Sequence, residues 1–217
     1  MLVGMEKIKL VCFDLDDTLI EQNSWYKLSL DLGLTAEGDK YFYEMYHTKK
    51  EISYENWILE LLKIYKERGR ANFKNIIGSL STYSYKEGAR EIIDYLKNKG
   101  YKIALISGSF NVIVDLVAKD LSIEFAGAIN NFIFDADDQL ENIISFGGNE
   151  DIAKLNILED VCLKSGINID ECACIGDGSN DIEMFKKTKH GITFRGSKIE
   201  DEAWKIIESL HDIKNIL

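Results

Sequence analysis

Three carboxylates, Asp14, Asp16 and Asp17, crowd into four positions of the stretch VCFDLDDTLI, residues 11–20, where an apolar run stops. Two carboxylates roughly 4 Å apart repel by about 4 kcal/mol at an effective dielectric near 20, so such a group needs a proton or a cation between its members. A second acidic cluster, GDGSND, brings Asp177, Asn180 and Asp181 after another short apolar run. Ser107, Gly108 and Ser109 follow a third, and supply a hydroxyl and accessible backbone amides. With Lys154 added, the set holds carboxylates, a hydroxyl, amides and one ammonium. That combination can bind a divalent cation and a phosphate together.

These residues must be brought together by the elements that carry them. Ile8 to Phe13 reads as a buried strand ending at Asp14. Residues 22–81 then show apolar positions at helical spacing, such as Trp57, Leu61, Ile64 and Tyr65, with Gly33, Gly38 and Gly69 as stops. This is expected to be a helical insertion. Beyond it, strand and helix alternate. A helix near 86–99 precedes the strand YKIALIS, and a helix near 110–120 precedes IEFAGAI. FIFDADDQL reads as a hairpin turning at Asp137 and Asp138, followed by a helix near 149–165. CACIGD and HGITF read as the fourth and fifth parallel strands, followed by helices near 179–187 and 198–209. The pattern predicts an α/β fold, a Rossmann-like doubly wound parallel sheet. Ligands of such sheets bind beyond the carboxyl ends of the strands, where all the residues above fall.

Composition narrows the function. The chain has 217 residues, 46% of them hydrophobic, enough for one sizeable core and a smaller satellite. A formal net charge of −11 disfavours nucleic acid or an anionic membrane as partner. There is no run of 18 apolar residues, and MLVGMEKIKL lacks the apolar core of a signal peptide, so a cytoplasmic protein, monomer or homodimer, is expected. Cys12, Cys162, Cys172 and Cys174 lie in apolar segments and read as buried free thiols rather than a zinc site. His47, His190 and His211 read as surface or structural residues away from any carboxylate.

Four motifs now stand in order: DLDDT, the serine of ISGS, Lys154 and GDGSND. In these, and in YKEGAREIIDYLKNKGYKIALISGSF, the chain resembles the haloacid dehalogenase (HAD) superfamily, closest to its phosphoserine phosphatase branch. The resemblance implies a HAD-like core of residues 1–20 and 84–217 with a helical cap inserted at 21–83. It implies that Asp14 is the nucleophile that forms an aspartyl-phosphate, and that Asp16 protonates the leaving alcohol and then activates water. Mg²⁺ would be held by Asp14, the Asp16 backbone carbonyl and Asp177, with Asp181 behind them. Ser107, the Gly108 amide and Lys154 would hold phosphate oxygens, and Asn180 would contact phosphate or substrate. Asp17 would serve the local turn with Thr18.

Taken singly, each motif has an ordinary reading. An aspartate after a strand is commonly a turn or a cap, and most lysines are solvated. A calcium loop starting at Asp14 fails, with Leu19 at the glycine position and Trp25 where the bidentate glutamate belongs. Eleven aromatics lie in residues 21–83, most of them needed as a small core, although a minority could form an aromatic cage for a quaternary ammonium. The phosphoserine phosphatase pattern places a glutamate where this chain has Asn23, and a cap arginine near Leu61, with Arg68 and Arg70 more than a turn later. The expected activity is hydrolysis of a small phosphorylated metabolite. Phosphoserine hydrolysis proper, phosphotransfer to an alcohol and a catalytically idle phosphometabolite-binding module are the alternatives.

Overall fold

A computed structural model describes residues 7–147 and 149–217, without the side chain of residue 47. The leading residues 1–6 of the stretch weighed as a signal peptide, and the side chain of His47, lie outside the described residues. Seven strands form one sheet in the order β4-β3-β2-β1-β5-β6-β7. Strands β1 (Leu10–Phe13), β2 (Lys102–Phe110), β3 (Phe125–Phe134), β5 (Cys172–Ile175), β6 (Gly191–Phe194) and β7 (Lys205–Ile207) run parallel, and β4 (Leu140–Ser145) runs antiparallel to β3. β1 is buried along its whole length, as a near-continuous apolar run covered on both faces must be.

The chain order reverses at β1, which pairs with β2 on one side and β5 on the other. At such a switch point the following loops diverge and leave a crevice. Phe13 stands opposite Ile175, so Asp14 and Asp177 emerge side by side. The Asp14 amide donates to the Ile175 carbonyl at 2.9 Å and keeps the first loop in register with the fourth.

Helices α1 (Ser24–Asp31), α2 (Ala36–Tyr43), α3 (Tyr54–Glu67) and α4 (Phe73–Leu80) fill the stretch between β1 and β2, with a π-helical turn over Glu44–Thr48. Each α-helix starts on a side-chain cap, from Asn23, Thr35, Ser53 and Asn72. The chain leaves and returns along paired segments: Glu21 donates to the Ser84 carbonyl and Lys86 to the Leu19 carbonyl, both at 2.9 Å. Buried Leu28, Leu61 and Tyr65 share one apolar cluster with Phe110 and Ile113 of the sheet side, so the helices pack on the sheet.

Helices α5 (Ala89–Asn98), α6 (Asn111–Asp120), α7 (Glu150–Ser165) and α8 (Ile182–Thr188) fall where the periodicity places them. IEFAGAI and FIF form one strand, β3, whose hairpin with β4 turns at Asp138 in the left-handed region, φ 59°. The helix expected over 198–209 is absent. A short 3₁₀ turn over Glu200–Glu202 leads into β7, whose Lys205, Ile206 and Ile207 pair with Ile192, Thr193 and Phe194. Apolar residues at helical spacing were outweighed there by the unpaired edge of β6, which a β-branched pair can cover.

All four cysteines are free and buried. His211 departs from expectation, with Nδ1 3.5 Å from the Glu91 carboxylate, and His190 meets Trp204 edge-on.

Candidate active site

A cleft of about 740 Å³ opens over the carboxyl ends of β1, β2 and β5. Asp14, Asp16, Ser107, Gly108, Asp177 and Asn180 all line it. Lys154 and Asp181 lie just beneath and are fully buried.

Lys154 is the electrostatic centre. It rises from the first turns of α7 and donates to Asp14 Oδ1 and Asp181 Oδ1, both at 2.7 Å, and to Asn180 Oδ1 at 3.2 Å. Burial alone would lower its pKa, but the carboxylates of Asp14 and Asp181 hold it above the ordinary lysine value. Asp181 Oδ2 accepts from the Gly178 amide at 3.2 Å, so both its oxygens are engaged. This return of Asp181 towards the strand explains Gly176, where a Cβ would fall 2.2 Å from Asp181 Oδ2.

The first acidic motif divides into three environments. Burial drives the Asp14 carboxyl well above the carboxylate range; Lys154 pulls it back, and Asp181 and Asp177 push it further. Burial also lifts Asp16 to about 7, against hydrogen bonds from Ser24. Asp16 Oδ2 accepts from the Ser24 hydroxyl at 2.6 Å and its amide at 3.0 Å, whereas Oδ1 is buried with no partner. Asp17 takes φ 54° and turns the chain, as expected of it, while also lining the cleft. One carboxylate pinned by an ammonium and another near neutrality with an open oxygen suit a nucleophile beside an acid–base group.

Asp177 is lifted to about 6, by burial first and then by Asp181 and Asp17, and Thr18 donates to its Oδ1 at 3.1 Å. Carboxylate oxygens of Asp14, Asp177 and Asp181 lie within 4.8 Å of one another. Hard oxygen donors this close, with the Asp14 and Asp177 carboxyls raised by burial first and by neighbouring carboxylates next, fit a divalent cation such as Mg²⁺. Without metal, the raised values of Asp14, Asp16 and Asp177 mean the folded state holds more protons than the unfolded chain above pH ~4. Stability in chelator is therefore expected to fall as pH rises from about 4 to 7. Thermal melts in chelator should give a midpoint several degrees lower at pH 8 than at pH 5, and Mg²⁺ should restore most of the difference. A midpoint that rises over this interval would contradict the crowding.

The serine loop is shaped from several elements. Ser107 Oγ accepts from the Ser109 amide at 3.1 Å, and the register of β2 against β3 shifts between Ser107 and Phe110. A Cβ on Gly108 would lie 3.0 Å from Asn180 Nδ2, so glycine permits the two motifs to close. The Gly108 carbonyl accepts from Trp25 Nε1 at 3.1 Å and from Asn130 Nδ2 at 2.8 Å. Tyr54 donates to Asn130 Oδ1 at 2.9 Å, so α1 and α3 both grip this loop. The Ser109 hydroxyl touches Ser24 and extends the contact to Asp16.

Sequence reasoning missed Ser24, Asn130 and Glu150, and it named Thr18 only for the local turn and Ser109 only with its loop, because nothing in their spacing tells which distant loops they meet. Asn23 lines the cleft but spends its side chain capping α1, accepting from the Tyr26 amide at 2.9 Å. Leu61 is core, and the stem of Arg68 packs beside Gly33. Among the described residues, no arginine lines the cleft.

A mostly parallel sheet with acidic loops, a serine loop and a buried lysine at its switch point defines a phosphate-handling α/β enzyme. The family model of haloacid dehalogenase-like hydrolases matches residues 8–188, and the chain belongs to that family. It is 29% identical over 212 residues to a phosphoserine phosphatase of Methanocaldococcus jannaschii, covering 98% of this chain and 97% of that one. It also superimposes on two solved structures, a phospho-aspartyl intermediate analogue of phosphoserine phosphatase and a substrate-bound phosphoserine phosphatase complex. In both the TM-score is 0.81 at 27% identity, covering 97% of this chain and 99% of the other. The chain is thus a hydrolase whose relatives are phosphatases. No helix among the described residues is long and apolar enough to cross a membrane.

Proposed function

We propose that the protein is a Mg²⁺-dependent phosphomonoester hydrolase that works through a phosphoaspartate on Asp14, under a cap formed by residues 21–83. The observation that carries this reading is the buried cluster of Asp14, Lys154 and Asp181 with Asp177 beside it at the switch point. Asp14 attacks the phosphorus of the ester, and the bond to the alcohol oxygen breaks. Asp16, held neutral by burial, gives that oxygen its proton through the unpartnered Oδ1. In the second half, ionised Asp16 takes a proton from water, which attacks the same phosphorus and releases phosphate and free Asp14. Ser107, the Gly108 amide and Lys154 hold the equatorial oxygens, and Asn180 positions the lysine. Asp14, the Asp16 backbone carbonyl and Asp177 would hold Mg²⁺, with Asp181 fixing Lys154 behind them. The ion supplies positive charge against the transferring phosphoryl group and relieves the carboxylate repulsion.

L-Phosphoserine as the substrate is the second reading, favoured by the names of the relatives. Phosphate release from p-nitrophenyl phosphate with Mg²⁺, abolished by chelator and restored by added Mg²⁺, is the expected result. Release insensitive to chelator would reject the metal, and no release from any ester would point to the idle binding module.

A further inference from the structure

One wall of the cleft takes no part in phosphoryl transfer. Trp25, Tyr26, Tyr43 and Trp57 build it from the helices, with the carboxylates of Asp39 and Glu150. The Trp25 and Trp57 ring centroids stand 4.7 Å apart, and Trp57 stacks on Tyr46 at 5.2 Å. Glu150 opens α7 and is only 9% exposed. Its carboxylate accepts no hydrogen bond from any described residue, yet it points across the serine loop, with Oε1 3.4 Å from where a Cβ on Gly108 would lie. Burial pushes it up to about 7, and the nearby ammonium, Lys154, is already committed to Asp14 and Asp181. An unpartnered, buried carboxylate that shares a cleft wall with indole and phenol rings is costly alone and favourable beside a ligand cation.

We propose that this wall receives a cationic nitrogen, ammonium or methylated ammonium, on the leaving group, and that the substrate is the phosphomonoester of an amino alcohol without a carboxylate. This rests on the hydrolase reading above and assigns its substrate class. A carboxylate on the leaving group would face Glu150 and Asp39 with no guanidinium among the described cleft residues to hold it. The exposed Lys198 follows Ser197, whose hydroxyl donates to the Asp177 carbonyl, and as a solvated ammonium it is no bidentate partner for a carboxylate.

The test is a matched series of ethanolamine phosphate, choline phosphate, L-phosphoserine and propyl phosphate with the Mg²⁺-loaded protein. The amino-alcohol esters are expected to exceed both others in kcat/KM by at least about tenfold. Glu150→Gln, close in shape, should collapse the ratio of ethanolamine phosphate to propyl phosphate. Phosphoserine turned over as well as the amino-alcohol esters, or a ratio unmoved in a folded Glu150→Gln protein, overturns the inference and leaves the hydrolase intact. Calorimetry on Asp14→Asn protein with Mg²⁺ reads the headgroup without turnover. Choline phosphate should bind more tightly than phosphoserine there, and the reverse order overturns the inference. Absence of release from every ester alongside the expected binding order would instead strike the hydrolase reading alone.

Discussion

Replacing Asp14 with asparagine should lower turnover by about 10⁴-fold or more, while the melting midpoint stays within a few degrees of the parent. An amide oxygen is a poor nucleophile, yet it still accepts the hydrogen bond that Lys154 gives Oδ1. The substitution also removes one charge from a cluster in which Asp177 and Asp181 already raise the Asp14 pKa. The lost ion pair and the lost repulsion therefore offset each other in the folded state, and chemistry alone suffers. Activity within tenfold of the parent, measured as phosphate release by a folded variant, would remove Asp14 as nucleophile.

The second large effect concerns Lys154. Lys154→Met keeps most of the side-chain volume but strands the buried carboxylates of Asp14 and Asp181 without their shared ammonium at the floor of the cleft. Breaking a buried charge cluster by removing one partner costs about 3–5 kcal/mol. Urea unfolding in chelator should show a loss of that order, with part of it regained in Mg²⁺. Lys154→Arg should not rescue activity, because a planar guanidinium cannot replace a compact ammonium between Asp14, Asn180 and Asp181. A destabilisation below about 1 kcal/mol in Lys154→Met would show that the cluster does not depend on its charge.

Why these residues could be named from the sequence has a physical basis. Asp14, Ser107, Lys154 and Asp177 each sit on or next to a strand end or an early helical turn, and strand ends of a parallel sheet converge by topology alone. Asp17 and Asp181 were legible in the same way, one at a turn with φ 54° and the other as the carboxylate that accepts from Lys154. What the sequence concealed lies in the packing between the helices and the sheet. Ser24 reaches Asp16 across eight residues, Asn130 links Tyr54 to the Gly108 carbonyl, and Thr18 spans to Asp177. Such contacts depend on how two layers dock, which neither periodicity nor spacing encodes. The edge strand Lys205–Ile207 was hidden for a related reason: helical spacing is a local signal, and the demand of β6 for a partner is not.

The central claim is that a covalent phosphoryl group passes through Asp14. Acid quench during turnover, followed by proteolysis and peptide mass analysis, tests it directly. The account predicts one added phosphoryl group on the peptide containing Asp14, accumulating when Asp16→Asn slows its hydrolysis and absent from Asp14→Asn. Phosphate release at the parent rate with no labelled peptide, or a label on another residue, would contradict it.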